Sequence, residues 1–381
     1  MKKIVLFTSL LFLSSCSAEK ESIILNTNNN VVSQNKTNKI YKKYTDSELR
    51  SLYSKPISQW QKADLDNGVT YKELGLLPVA SHPSNNPLNN DKVELGKLLF
   101  FDTRLSKYGM FSCSTCHNPE HNWADNLDRP LGNDKNPLKR NSPTVANTAY
   151  FNTMFWDGRA KSLEQQAHDV LLNPREMNSN ENLIKRSIGD DELYLDLFKK
   201  SFGDSEITFD RVTFALATFQ RTITTKNNSP FDQFIKGNYK ALNDPQIRGL
   251  HLFRTKARCM NCHQGANFSD NNFHNTGLVM QGTEFEDLGK FDTTKLPEDF
   301  GTFRTASLRN VVKTAPYFHH GQTKTIKEIL DMYNKGMPEA QNKSKLIKPL
   351  GLSNNELEDL ESFLNSLSES LPTVRKPIFR K

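Results

Sequence analysis

Apolar residues recur with the period of an α-helix in four places along this chain, and the four fall into two matching pairs. From Gly96 to Phe100, and again from Gly249 to Phe253, the sequence reads Gly-x-x-Leu-Phe inside a short amphipathic pattern. Further on, Val212, Leu216, Phe219 and Ile223 share one helical face behind Thr208, a plausible N-cap. Leu357, Leu360, Leu364 and Leu367 form the matching stripe behind a Ser353–Glu356 capping box. Each half thus predicts an opening helix, long irregular stretches and a closing helix. The halves are ~130–150 residues each, an ordinary domain size. Residues 91–230 and 231–381 are the expected units, with Thr224 to Asp244 as the joint.

Ahead of the repeat the pattern changes twice. Met1-Lys2-Lys3, the apolar run Ile4 to Leu13 and then Ser14-Ser15-Cys16 make a charged start, a hydrophobic core and a small-residue cleavage site. Residues 1–15 therefore read as a secretory signal peptide. Leu13-Ser14-Ser15-Cys16 also resembles the bacterial lipobox, in which the cysteine is acylated; an ordinary cleaved signal is the alternative. Residues 16–45, rich in Asn, Ser, Thr and Lys, read as a lipid-anchored flexible stalk. Residues 46–90 carry scattered aromatics and read as an N-terminal extension packed on the body. No other apolar run approaches the ~20 residues of a spanning helix. The expectation is a periplasm-facing lipoprotein of the cell envelope that meets the membrane only through lipid.

The chemistry lies in two copies of Cys-x-x-Cys-His, Cys113 to His117 and Cys259 to His263. Each opening helix precedes one copy. An aromatic, a small residue and Asp follow each: Trp123-Ala124-Asp125 and Phe268-Ser269-Asp270. In this pentapeptide the two sulfurs attach covalently to a haem and the histidine is the iron's proximal ligand. A four-cysteine zinc ribbon would place its pairs about 15–20 residues apart, far closer than these. A redox Cys-x-x-Cys needs no histidine beside it. With five cysteines in all, the motifs use four, and Cys16 leaves no pair for a structural disulfide. The fold expected is mainly α, two cytochrome-c-like haem domains packed together, with two covalently attached haem c.

The net charge of +7 invites a nucleic-acid reading, which does not hold. Cleavage of the leader removes Lys2 and Lys3, and four haem propionates bring the sum close to neutral. The basic residues are also spread along the chain rather than gathered on one patch.

Six segments now carry a resemblance: Arg140-Asn-Ser-Pro-Thr144, Phe155-Trp-Asp-Gly-Arg159, Leu163-Glu-Gln-Gln-Ala167, Asn173-Pro-Arg-Glu-Met177, Leu308-Arg-Asn310 and Thr314-Ala-Pro-Tyr-Phe-His319. In this order, with both haem motifs in register over residues 90–370, they resemble the bacterial dihaem cytochrome c peroxidase and MauG family. The resemblance implies reduction of hydrogen peroxide at the first haem, with electrons entering through the second. It implies a small cytochrome c, a cupredoxin or a quinol as donor. The alternative it carries is the MauG-like use of peroxide to oxidise a partner protein or small molecule. Glu176 matches the family's distal glutamate, a proton shuttle for O–O cleavage, and Gln166 the glutamine that orients peroxide. Trp156 matches a tryptophan between the haems. Asn141, with the carbonyls of Thr314 and Pro316, matches a Ca²⁺ site, and an all-oxygen set suits that ion. The residues themselves leave blander options: a solvated acid for Glu176, a core side chain for Trp156.

Two positions depart from the peroxidase pattern. Many members supply a removable distal histidine to the first haem from a Leu-Gly-His loop. Here the segment reads Leu131-Gly132-Asn133, so the first haem is expected to be open at all times. His168, beside Gln166, is an alternative distal group, with a surface role preferred. Peroxidases also place a methionine about one helix beyond the Tyr-Phe-His segment. Here that place falls on Tyr333, as in the MauG branch. Tyr333 is therefore the expected second ligand to the iron above His263, with Met332 and Met337 as alternatives and helix packing as the bland reading. Tyr333 and Met332 point about 100° apart on a helix, so both cannot ligate.

Overall fold

A computed structural model describes residues 41–371 and 374–379. The expected leader, Cys16 and nearly all of the stalk lie outside the described residues. The regular structure of the described residues is almost all helical. Its helices are α1 (Asp46–Tyr53), α2 (Asn90–Phe101), α3 (Cys113–Cys116), α4 (Leu163–Leu172), α5 (Glu181–Ile188), α6 (Glu192–Phe202) and α7 (Phe209–Thr222). After them come α8 (Pro230–Ile235), α9 (Asp244–Arg254), α10 (Phe291–Thr294), α11 (Ile326–Lys335) and α12 (Asn354–Asn365). The one sheet among the described residues is a two-residue antiparallel pair, β1 (Phe273–His274) and β2 (Phe303–Arg304), with Phe273 opposite Arg304.

The helix ends follow local chemistry. The Thr208 side chain accepts from the Arg211 N–H and starts α7, and Ser353 with Glu356 closes the capping box of α12. Both stripes read from the sequence are buried. Val212, Leu216 and Phe219 join Leu95, Leu99, Phe100, Trp123 and Phe198 in one core. Leu357, Leu360 and Leu364 join Leu250, Phe253, Phe268, Phe231 and Phe234 in another. The joint at 224–244 is not bare linker, since α8 carries Phe231 and Phe234 into the second core.

The described segments flanking the two halves cross over. Leu49, Tyr53, Trp60 and Leu74 of the N-terminal extension pack in the second core, whereas Leu371, Val374 and Phe379 pack against the first. Each core is thus completed by a segment remote from it in sequence.

The repeated glycines mark two helix crossings. A Cβ on Gly96 would lie 2.0 Å from the Ala215 carbonyl oxygen on α7. One on Gly249 would lie 1.9 Å from the Asp359 carbonyl oxygen on α12. Backbone meets backbone there, so no side-chain rotation relieves the clash. Gly249→Ala is expected to cost about 3 kcal/mol, the upper end for overpacking, and to lower Tm by roughly 5–10 °C. Thermal unfolding followed by circular dichroism within 1 °C of the parent would refute the close-crossing account.

Candidate haem sites and distal pocket

Within the first half, α3 is one helical turn, which sets Cys113 and Cys116 about a turn apart with His117 next in line. Nδ1 of His117 lies 3.3 Å from the Trp123 carbonyl. With the proton on Nδ1 donated there, Nε2 keeps its lone pair for a metal. In the second half, Nδ1 of His263 lies 3.0 Å from the Phe268 carbonyl, the same arrangement. Back-bonding of this kind is what orients ligating histidines in metal sites. Burial pushes the His117 imidazole down to about 4, with the Trp123 and Pro143 carbonyls pulling back, so it is neutral and able to ligate. Burial also pushes the Cys113, Cys116 and Cys259 thiols up to about 12. The two cysteine pairs do not converge on one metal cluster among the described residues.

Beside the first pair lies a cavity of about 550 Å³ whose lining includes Cys113, Cys116, His117, Gln166, Glu176 and Trp156. That volume is in the range of cofactor-sized sites. Attachment sulfurs, a back-bonded imidazole and a cavity of this size fit a covalently held haem.

The sequence-predicted distal groups do come together in this cavity. Gln166 arrives on α4, and Glu176 on the turn after it. The Asn173 amide donates to Glu176 Oε1 at 2.7 Å and holds that carboxyl in place. Burial raises the Glu176 carboxyl above its ordinary value, opposed by the Arg159 guanidinium and the Asn173 amide and reinforced by Asp169. The Cys113 and Cys116 sulfurs both feel its charge. His168 does not line the cavity. It is half exposed, 3.4 Å from Asp169 and edge-on to Phe209.

Asn133 is buried against the turn that carries Glu176. Its N–H donates to the Arg175 carbonyl at 2.8 Å, and its amide reaches the Pro174 carbonyl at 3.4 Å. Trp156 lines the cavity, donates from Nε1 to the Asn141 carbonyl at 2.9 Å, and stands edge-on to His319 at 6.5 Å. Asn141 in turn donates its N–H to the His319 carbonyl and its amide to the Leu127 carbonyl, which leaves Oδ1 as its uncommitted oxygen. It thereby lies beside the segment that carries Thr314 and Pro316.

In the second half, Tyr333 on α11 lies near enough to Cys259 and Cys262 for both to act on its phenol. Burial holds its phenol well above the usual value, and the charges of Cys262 and Cys259 add to this. Met332 sends its sulfur toward Thr323 Oγ1 at 3.9 Å, and Met337 is buried beyond the end of α11.

Sequence reasoning missed the ion network behind the first cavity. Arg140 donates to both Asp287 oxygens at 2.7 and 2.8 Å and to Asp157 at 2.6 Å. That guanidinium drives the buried Asp287 carboxyl far below the usual range, against its own burial. Arg140-Asn141 and Asp157 were legible as motif residues, but Asp287, remote in sequence, carried no signal.

Helical stripes on two cores, two attachment motifs, and a carboxyl and a carboxamide lining the cavity beside the first motif point to a dihaem c-type oxidoreductase. The comparisons agree. Residues 90–240 match the family model for di-haem cytochrome c peroxidase. The chain is 40% identical to the methylamine utilization protein MauG of Methylorubrum extorquens, over 78% of this chain and 83% of that protein. It is 37% identical to the cytochrome c551 peroxidase of Pseudomonas aeruginosa, over 77% and 83%. A crystal structure of a MauG-like protein associated with microbial copper homeostasis superposes with a TM-score of 0.72 at 29% identity, over 80% of this chain and 96% of that one. The chain belongs to the di-haem cytochrome c peroxidase family, and membership implies two c-type haems and peroxide chemistry.

Proposed function

We propose that this chain reduces hydrogen peroxide to water in the cavity beside Cys113, Cys116 and His117. The observation that carries the reading is the desolvated Glu176 carboxyl, which shares that cavity with Gln166. Haem, when bound, supplies the iron and the electrons for O–O cleavage. The chain's own part is to move a proton. Glu176 accepts it from one peroxide oxygen and delivers it to the other, which leaves as water. Gln166 would orient the peroxide, Trp156 would relay charge between the two haem sites, and His263 and Tyr333 would hold the second haem's iron.

Around this core stand finer proposals. Residues 91–230 and 231–381 form the two haem domains, each around its own apolar core, although the tail residues Leu371, Val374 and Phe379 pack on the first. Asn141 Oδ1 with the Thr314 and Pro316 carbonyls holds Ca²⁺. The chain is exported to the periplasm as a lipoprotein through Cys16, and no described helix is long and apolar enough to cross a membrane. The donor is a small cytochrome c, a cupredoxin or a quinol. Steady-state peroxide turnover with each of these as reductant tests the reading. Turnover with none of them, alongside peroxide-dependent oxidation of a protein substrate, would replace it with the second reading. That reading, MauG-like oxidation of a partner, is favoured by Tyr333, a buried phenol that feels the Cys259 and Cys262 sulfurs.

Because Asn133 stands where a removable histidine ligand would be, the as-isolated diferric protein is expected to react with peroxide without prior reduction. Its first haem should be high-spin in the electron paramagnetic resonance spectrum. Low-spin signals alone, with turnover only after half-reduction, would contradict the role given to Asn133.

A further inference from the structure

Four arginines are buried among the described residues, and three of them meet a carboxylate. Arg221 pairs with Glu164 at 2.6 Å, Arg309 with Asp232 at 3.0 Å, and Arg254 with Glu73. Arg304 does not. It is 9% exposed, its Nη1 is buried without a hydrogen-bond partner, and its Nε reaches only the Phe155 carbonyl at 3.4 Å. Burial alone acts on the guanidinium, pulling it down to about 10, with no countercharge near it.

Such a group is costly to keep. Burying an unpaired ion is costly even after relaxation. The face of Arg304 lies 3.6 Å over the Phe151 ring. A desolvated cation–π contact offsets only part of that cost. A guanidinium in this position calls for an anion from outside the chain, and carboxylate matches its planar fork.

The fold states where that anion would sit. Arg304 is on β2, paired to β1, and its N–H donates to the Trp156 carbonyl at 2.8 Å. These bonds carry a side chain from the second half of the sequence into the lining of the first cavity, with Cys113, Cys116 and His117. Two other cations of that lining are already matched. Arg140 holds Asp157 and Asp287, and Arg159 holds Asp157.

We propose that Arg304 binds a propionate carboxylate of the haem held by Cys113 and Cys116. The proposal rests on that cavity being a haem site. It makes Arg304 a positioning residue that couples the two halves of the chain through the cofactor. Its positive charge keeps the propionate ionised and disfavours the oxidised iron.

The test is spectroelectrochemistry and resonance Raman spectroscopy on the dihaem protein and on Arg304→Met and Arg304→Lys. In Arg304→Met, with both haems attached, the first haem's reduction equilibrium should shift by about tenfold or more toward the oxidised form. Its propionate deformation band should move as well. Arg304→Lys keeps the charge, so most of the potential should return while the band stays displaced. An unchanged potential and band in Arg304→Met would overturn the proposal, as would a change confined to the haem of Cys259 and Cys262. If Arg304→Met fails to mature, an unchanged band in Arg304→Lys overturns it equally. A parent protein lacking a haem at Cys113 and Cys116 would instead remove the site reading itself.

Discussion

Glu176→Gln is expected to leave haem content and absorption spectra close to the parent while slowing peroxide cleavage by on the order of 10²–10⁴-fold, the usual worth of general acid–base catalysis. The substitution is nearly isosteric, and Asn173 can still bond the side-chain oxygen of Gln, so the turn keeps its shape. Only the proton carrier is lost. The pH profile gives an independent check. Burial raises the Glu176 carboxyl, and the carboxylate is the form that takes the first proton. Parent kcat/KM should therefore fall as pH drops through an ionisation above the ordinary glutamate value of about 4.3. That limb should vanish in Glu176→Gln. Stopped-flow rates within a factor of two of the parent would take Glu176 out of the mechanism.

The second large effect is expected at Tyr333. Its phenol is held above the usual range by burial and by the nearby sulfurs. An ionised Tyr333 therefore requires a positive centre against its oxygen, as ferric iron supplies. If Tyr333 ligates, the second haem should be low-spin and low in potential, and Tyr333→His should give a bis-histidine haem of changed potential. Axial ligands move haem potentials across a range of about 0.8 V, so the shift should be plain in a redox titration. A methionine–iron charge-transfer band in the parent that survives Tyr333→Phe would reject Tyr333. It would also shift the balance firmly toward ordinary peroxide reduction, away from oxidation of a partner.

The sequence by itself determined whatever is covalent or local. Cys-x-x-Cys-His specifies its chemistry within five residues, and it stands in the structure with both histidines oriented from behind. Helix stripes and caps are equally local: Thr208 and Ser353 start their helices by bonding N–H groups three residues on. The distal pair was legible only through resemblance, because nothing in Asn173-Pro-Arg-Glu-Met177 says that its carboxyl turns into a cavity. Tertiary structure decided the rest. Spacing left Tyr333, Met332 and Met337 open, and only the tertiary structure brings the Tyr333 phenol within reach of the Cys259 and Cys262 charges and sets Met332 beside Thr323. Gly96 and Gly249 looked like motif letters, and only the crossing helices show that no Cβ fits there. Arg304 had no sequence signal at all. A charge on a two-residue strand reads as solvent-facing until the fold buries it, and whether a buried charge has a partner depends on residues from every part of the chain.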